Sequence, residues 1–552
     1  MRDGGDDGWG QVRSRAAGPV ADLNFGDLLD EVAAAVPARP AIRYGELTRT
    51  WAELDQRGNR LARVLLAAGL ATNSKVAFYL RNTPAYVELF AACAKARLVH
   101  ANVNYRYVGH ELYHILDNAD AEAVVYDADF APQVAALRER LPKVRLYLEV
   151  DAAGQPANAF AGDFEAACAV GDASRLPIER SGGDLYFMYT GGTTGYPKAV
   201  MWEHRERIAA IGMTDAPNAA ENARRAAANT TPVVALPACP LMHSTGFTTM
   251  LSTLTEGGCV VLVPSASFDA RLCLEAIVRH RVTRLAIVGD AFSVPLLAFL
   301  RDHGDAYDLG GVQVISSAGV MWSEQCKREL LEYFPNALLA DSLGSSEGSR
   351  LGASSLRRGQ SARTAAFQLG PDVKIFTEDF REVLPGSGEA GMIAKAGALP
   401  LGYYKDDAGT AKTFPVVDGV RYSMAGDWCR VEADGTMILL GRGNNCINTG
   451  GEKVYPEEVE EALKTCATIA DAAVVGVPDA RWGQVVVALV RLGAGTALDE
   501  QVLRTHLTER IARYKHPRRY VVTDTDFRHD NGKLNYRLAR SLVDRHGADA
   551  GA

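Results

Sequence analysis

Between Lys75 and Leu343 the chain alternates short apolar runs with stretches of helical period, and this rhythm restricts the fold more than any other feature. KVAFYL (75–80), AVVYD (123–127) and VRLYLEV (144–150) read as strands, and residues 82–98 repeat as a helix. LYFMYT (185–190), CVVLV (259–263), RLAIV (284–288), VQVIS (312–316) and ALLAD (337–341) continue the pattern. Strands that are apolar throughout, spaced by helices, belong to parallel sheets covered on both faces. Upstream, residues 25–70 read as helix, short strand, helix. From Pro371 to Leu440 the segments shorten and turn residues increase, as in an antiparallel sheet or small barrel. After Gly441 a compact unit is expected: helix 456–467, strands 472–477 and 484–492, helix 500–511 and strand 519–523. The expected class is α/β: a large N-terminal body of α/β sheets with a small β-barrel-like part, then a small α+β C-terminal domain.

Composition removes several classes of function. Apolar residues are 47% and charged residues 23%, ordinary globular usage that supplies large cores. With 59 basic and 67 acidic residues the net charge is -8, which disfavours non-specific nucleic-acid binding. No apolar run is long enough to span a membrane. The nine cysteines are odd in number and never closely spaced, so neither zinc fingers nor a disulfide scaffold is expected, and reduced core thiols are. Residues 1–20 are polar and lack an apolar stretch, and read as a mobile tail on a cytoplasmic protein.

The sharpest local feature is Tyr189-Thr-Gly-Gly-Thr-Thr-Gly-Tyr-Pro-Lys198, directly after a strand. Glycines let backbone N–H groups turn toward an anion, and threonine hydroxyls add donors, so the loop suits phosphate. It is not a Walker loop, because Pro197 precedes Lys198 and Ala199 follows it.

This stretch resembles the phosphate loop of the adenylate-forming superfamily: acyl-CoA synthetases, luciferases and peptide-synthetase adenylation domains. Further elements follow in the family's order. They are Pro240-Leu-Met-His243 with Gly246, Asp341-Ser-Leu-Gly-Ser-Ser-Glu347, Ala425-Gly-Asp427, Gly441-Arg442 with Ile447-Asn-Thr-Gly-Gly451, Pro456-Glu-Glu-Val-Glu460, and Gly532-Lys533. The set is most similar to actinobacterial fatty-acyl and steroid side-chain CoA ligases. The resemblance implies an AMP-forming acyl-CoA ligase that uses ATP, Mg²⁺ and CoA on an apolar carboxylic acid.

The resemblance also implies roles. In adenylation a carboxylate meets the α-phosphate, so cations and oriented donors must offset the repulsion. Lys533 would bridge the two anions, although a lone lysine is most often a solvated charge. Thr190, Gly191, Gly192, Thr193, Thr194, Gly195 and Lys198 would hold the β- and γ-phosphates. Glu347, with Thr193, would hold Mg²⁺, which needs few protein oxygens beside phosphates and water. Ser317, Ala318, Gly319, Asp341, Ser342, Leu343, Gly344, Ser345 and Ser346 would frame the nucleotide. Asp427 and Arg442 would take its ribose. His243 would lie beside the acyl carboxylate and the CoA tunnel, Phe247 would either wall or gate the acyl pocket or, as a lone aromatic, pack in the core, and Gly450 and Gly451 would lie along pantetheine. The expected domains are a tail (1–20), a substrate body (21–441), a hinge (442–445, centred on Asn444), a mobile catalytic domain (446–540) and a tail (541–552).

Some positions depart from the family pattern. Gly191 stands where Ser is usual, Leu343 replaces the stacking aromatic, Ser346 replaces Thr, Asn444 replaces a charged hinge residue, and Asn448 stands where Lys is common. None deletes a required charge. Two other readings stay open at this point: loading of an acyl group onto a carrier protein, and a non-catalytic nucleotide-binding regulator. A homodimer is the default expectation for assembly.

Overall fold

The computed structural model describes residues 21–150, 159–190, 197–320, 322–360, 363–442, 445, 447–449, 452–479, 483–508, 510–511, 513–529 and 532–549. The tail expected at 1–20 lies outside them. The chain forms two compact units. The first holds residues up to 362 with 370–372 and 395–423; the second holds 363–369, 373–394 and 424 onward.

Two sheets build the first unit. In one, the strand order runs Ser349–Leu356, Leu338–Ser345, Val314–Ala318, Arg284–Ile287, Val234–Pro237, Cys259–Leu262, Pro40–Tyr44, Leu47–Thr50. The strands from Leu338–Ser345 through Pro40–Tyr44 pair in parallel, and an antiparallel strand closes each end. The other sheet runs Gly402–Tyr403, Ala199–Glu203, Leu185–Tyr189, Val99–Asn102, Lys75–Tyr79, Ala121–Asp127, Leu146–Val150, Gly162–Asp163. It is parallel from Leu185–Tyr189 onward and antiparallel on the Ala199–Glu203 side.

The first core shows why these runs are strands. Val76 and Phe78 of one sheet and Ile42, Val260 and Leu262 of the other enter the same core, with the helices Phe25–Ala35, Trp51–Ala67, Pro84–Lys95 and Ser244–Thr255. Their chain neighbours Ala77 and Tyr79, and Val261, point to separate outer cores. This period of two buries both faces and accounts for the unbroken apolar runs. The helix Trp51–Ala67 starts with a capping box, Thr50 and Glu53 each satisfying the other's backbone N–H.

The second unit carries short antiparallel strands and a C-terminal sheet. Ala390–Lys395, Asp427–Val431, Thr436–Arg442 and Ala366–Leu369 pair antiparallel in that order. In the C-terminal sheet Ile469–Asp479 and Gly483–Leu492 form a long antiparallel pair, with Arg519–Val522 parallel to the second. Ala472, Val474, Val486 and Ala488 face the helices Pro456–Lys464 and Glu500–Thr508. Ala473, Val475, Val487 and Leu489 face the helix Tyr536–Asp549.

One expectation needs correction. The tail expected from 541 continues the helix Tyr536–Asp549 to residue 549, because Ala539, Leu542 and Val543 recur at helical spacing and are buried. The segment 218–231 carries a helix rather than an irregular loop. Its helix Ala219–Ala228 buries Ala223 and Ala226 in the first core, Asn222 donates to the Thr255 carbonyl at 2.8 Å, and Arg39 donates to the carbonyls of Ala226, Ala227 and Asn229 at its end. All eight described cysteines are buried and unpaired. No described helix is long and apolar enough to cross a membrane.

Candidate functional site

In the first unit, the site residues gather where parallel strands end. Val234–Pro237 leads to His243, Val314–Ala318 leads to Gly319, and Leu338–Ser345 leads to Glu347. Ligands of open α/β sheets bind at such carboxyl ends. Ser317 pairs with Asp341 and Ala318 with Ser342 in register, so these two segments lie side by side. Thr245 Oγ1 donates to the Ala318 carbonyl at 3.4 Å, tying the helix after His243 to the same edge. Gly319 has a φ of +93°, which a side chain would strain.

The phosphate loop joins two antiparallel strands rather than a strand and a helix. Leu185–Tyr189 pairs with Ala199–Glu203, and Thr190 N–H donates to the Lys198 carbonyl at 3.0 Å. Gly191, Gly192, Thr193, Thr194 and Gly195 lie outside the described residues. Lys198 Nζ is 2.7 Å from Asp406 Oδ2 and 4.9 Å from the Tyr403 ring centroid. The Lys198 hydrogen bond, then the Gly409 N–H, hold the Asp406 carboxyl below its ordinary range.

Tyr403 also reaches Glu347: its hydroxyl donates to Glu347 Oε1 at 2.9 Å. One aromatic residue therefore touches the candidate phosphate lysine through its ring and the candidate metal carboxylate through its hydroxyl. Sequence reasoning missed Tyr403 and Asp406. The only signal was the short stretch Leu401-Gly-Tyr-Tyr-Lys-Asp-Asp407. It also missed Asn102, which accepts from Tyr189 N–H at 2.7 Å and donates to the Met242 carbonyl at 2.7 Å. Asn102 thus joins the start of the phosphate loop to the residue before His243.

Some of the expected residues are enclosed by protein. Phe247 is fully buried, its ring stacked on His100 at 4.6 Å with Phe90 and Tyr186 around it. The residue expected to wall or gate a pocket is enclosed by core aromatics. Burial pushes the His100 imidazole down to about 3, so a neutral ring packs there. Asp341 receives Lys327 Nζ at 2.6 Å and is buried, and burial pushes its carboxyl up despite that partner. The Ser317 hydroxyl accepts the Gly289 N–H at 2.8 Å behind its strand.

In the second unit, Asp427 and Arg442 are register partners on adjacent antiparallel strands. Gly441, at φ +119°, leaves room for the Glu457 carboxylate, which a Cβ would meet. Lys533 is exposed on a tight turn in which His529 N–H donates to the Lys533 carbonyl at 2.8 Å. Arg528 secures that turn, donating to the Gly532 carbonyl at 2.7 Å and forming two bonds to Asp471. Asn444, Gly450 and Gly451, and the side chain of Arg442, lie outside the described residues.

Among the described residues no group of three His, Cys, Asp or Glu side chains could cage a metal. The nearly buried Glu347 carboxylate alone fits a hard cation that arrives with phosphate oxygens and water. Replacing Tyr403 by Phe removes one hydrogen bond to that carboxylate and keeps the ring under Lys198. We expect about a tenfold loss in adenylation efficiency with a raised Mg²⁺ requirement, from the usual worth of a bond to a charged group. A Mg²⁺ titration of pyrophosphate release checks it, and an unchanged curve would contradict it.

This arrangement of carboxyl strand ends, phosphate loop and paired sheets is that of an adenylate-forming enzyme. A family model described as AMP-binding enzyme matches residues 29–404, and the AMP-binding enzyme C-terminal domain matches residues 458–533. The chain belongs to the AMP-binding enzyme family. It is 39% identical over 542 residues to a Mycobacterium tuberculosis medium/long-chain-fatty-acid–CoA/3-oxocholest-4-en-26-oate–CoA ligase, covering 96% of this chain and 97% of that one. It is 38% identical over 546 residues to a Rhodococcus rhodochrous 3-oxocholest-4-en-26-oate–CoA ligase, covering 96% and 97%. Its fold matches an anthranilate CoA ligase in complex with anthranoyl-AMP with a TM-score of 0.82 at 19% identity, covering 96% and 99%.

Proposed function

We propose that the protein is an AMP-forming acyl-CoA ligase for a bulky apolar carboxylic acid, a medium or long fatty acid or a steroid side-chain acid. The observation that carries this reading is the 39% identity, over 96% of the chain, to a ligase named for those two kinds of acid. In the first step a carboxylate oxygen attacks the α-phosphorus of ATP and pyrophosphate leaves. In the second, CoA thiolate attacks the acyl carbon and AMP leaves.

The family resemblance, together with charge, gives each residue's part in this reading. Lys198 and the loop 190–195 would hold the leaving phosphates, and Glu347 would hold the Mg²⁺ that accompanies ATP. Lys533 offsets the meeting of carboxylate and α-phosphate. His243 orients the acyl carboxylate, and Asp427 with Arg442 takes the ribose. Residues 442–445 act as the hinge between the steps, with Lys533 serving adenylation and the Gly450–Gly451 loop serving thioester formation.

Pyrophosphate release across fatty and steroid acids, with and without CoA, tests this reading. We expect acid-dependent release and a CoA thioester. Absence of release with every acid would overturn it.

A further inference from the structure

Arg207, on the helix His204–Ile211, is buried, and no carboxylate among the described residues pairs with it. Its Nη1 donates to Ser349 Oγ at 2.6 Å, its Nη2 donates to Ser244 Oγ at 3.4 Å and to Thr248 Oγ1, and its Nε has no partner. A buried cation with no carboxylate beside it is costly, which calls for a reason. The partners supply one. Ser349 closes the turn that carries Glu347, while Ser244 and Thr248 lie in the first turns of the helix that follows His243. The guanidinium also lies 5.3 Å from the Trp202 ring, and Trp202 Nε1 donates to the Ser346 carbonyl at 2.9 Å. The residues flanking Glu347 are thus pinned on both sides.

Ser349 adds an independent observation. It pairs with Ser345 across the turn and has a φ of +59°, a left-handed position that glycine fills without strain. A serine kept there uses its hydroxyl, and that hydroxyl accepts from Arg207.

We propose that Arg207 is a positioning residue that holds the Glu347 turn against the His243 helix, setting the spacing between nucleotide phosphates and acyl carboxylate for adenylation. This rests on the function proposed above. Ser349→Gly tests it, because the change relieves strain while removing the anchor. The thermal midpoint should hold or rise, Mg·ATP binding measured by calorimetry should weaken, and adenylation should fall about tenfold. Conversion of synthetic acyl-adenylate to thioester should stay near the wild-type rate. Arg207→Met should lower adenylation about 10²-fold, the cost of misplaced reacting groups, with Arg207→Lys between. Unchanged Mg·ATP affinity in Ser349→Gly, or an equal fall in both half-reactions, would overturn the proposal. Wild-type protein that adenylates no acid would instead defeat the functional reading, and the Mg·ATP affinity of Ser349→Gly would still decide the positioning role.

Discussion

Lys533→Ala is expected to lower acid-dependent pyrophosphate release by about 10²–10³-fold, the usual loss when one group that stabilises transition-state charge is removed. Conversion of supplied acyl-adenylate to thioester should continue, because the charge collision is over once pyrophosphate has left. Lys533 is exposed, and its turn is secured by backbone bonds and by Arg528 with Asp471. Truncating the side chain therefore leaves the fold intact, and the loss reads as chemistry. Gly451→Leu should show the opposite pattern, slowing thioester formation more than adenylation. A Lys533→Ala protein that adenylates at the normal rate would show that another cation serves that step.

Asp30→Ala should destabilise the first unit by about 3 kcal/mol, the lower end for breaking a buried ion pair. The Asp30 carboxylate lies between Lys95 Nζ at 2.9 Å and Arg180 Nη1 at 2.7 Å, and all three side chains are buried. Lys95 keeps Asp55 and Asn59, and Arg180 keeps Asp27, which places the cost at the low end. Burial alone would raise the Asp30 carboxyl, but Lys95 and Arg180 outweigh it and hold it below its ordinary value. A depressed carboxyl stabilises the fold fully above its unfolded value of about 3.9 and loses that contribution as pH falls through the folded value. The difference in thermal midpoint between wild type and Asp30→Ala should therefore be large at pH 7 and shrink below about pH 4. A difference that does not change with pH would contradict the assignment.

Much of the candidate site was proposed from sequence because its signals are local. Tyr189–Lys198, Asp341–Glu347, Ala425–Asp427 and Gly532–Lys533 are short orders of residues in which glycine freedom and hydroxyl or charge placement occur together. Tyr403, Asn102 and Arg207 were not legible, since each is an ordinary residue whose meaning comes from distant partners. Tyr403 meets Glu347 from 56 positions away, Asn102 meets Met242 from 140, and Arg207 meets Ser349 from 142. Phe247 left two readings open, a pocket wall and a core aromatic. Its place after His243 pointed to a pocket, whereas the packing of His100, Phe90 and Tyr186 put it in the core.

The sequence by itself determined the α/β class, the strands and the family, and marked the loop 190–198 as a candidate phosphate site. Those follow from periods of two and 3.6 and from local residue order, which any chain carries along its length. Tertiary structure alone decided that the phosphate loop closes a hairpin, that 218–231 packs as a core helix, and that a buried guanidinium ties the Glu347 turn to the His243 helix. These depend on which distant segments are brought together, and burial, not order along the chain, selects a polar group's partner.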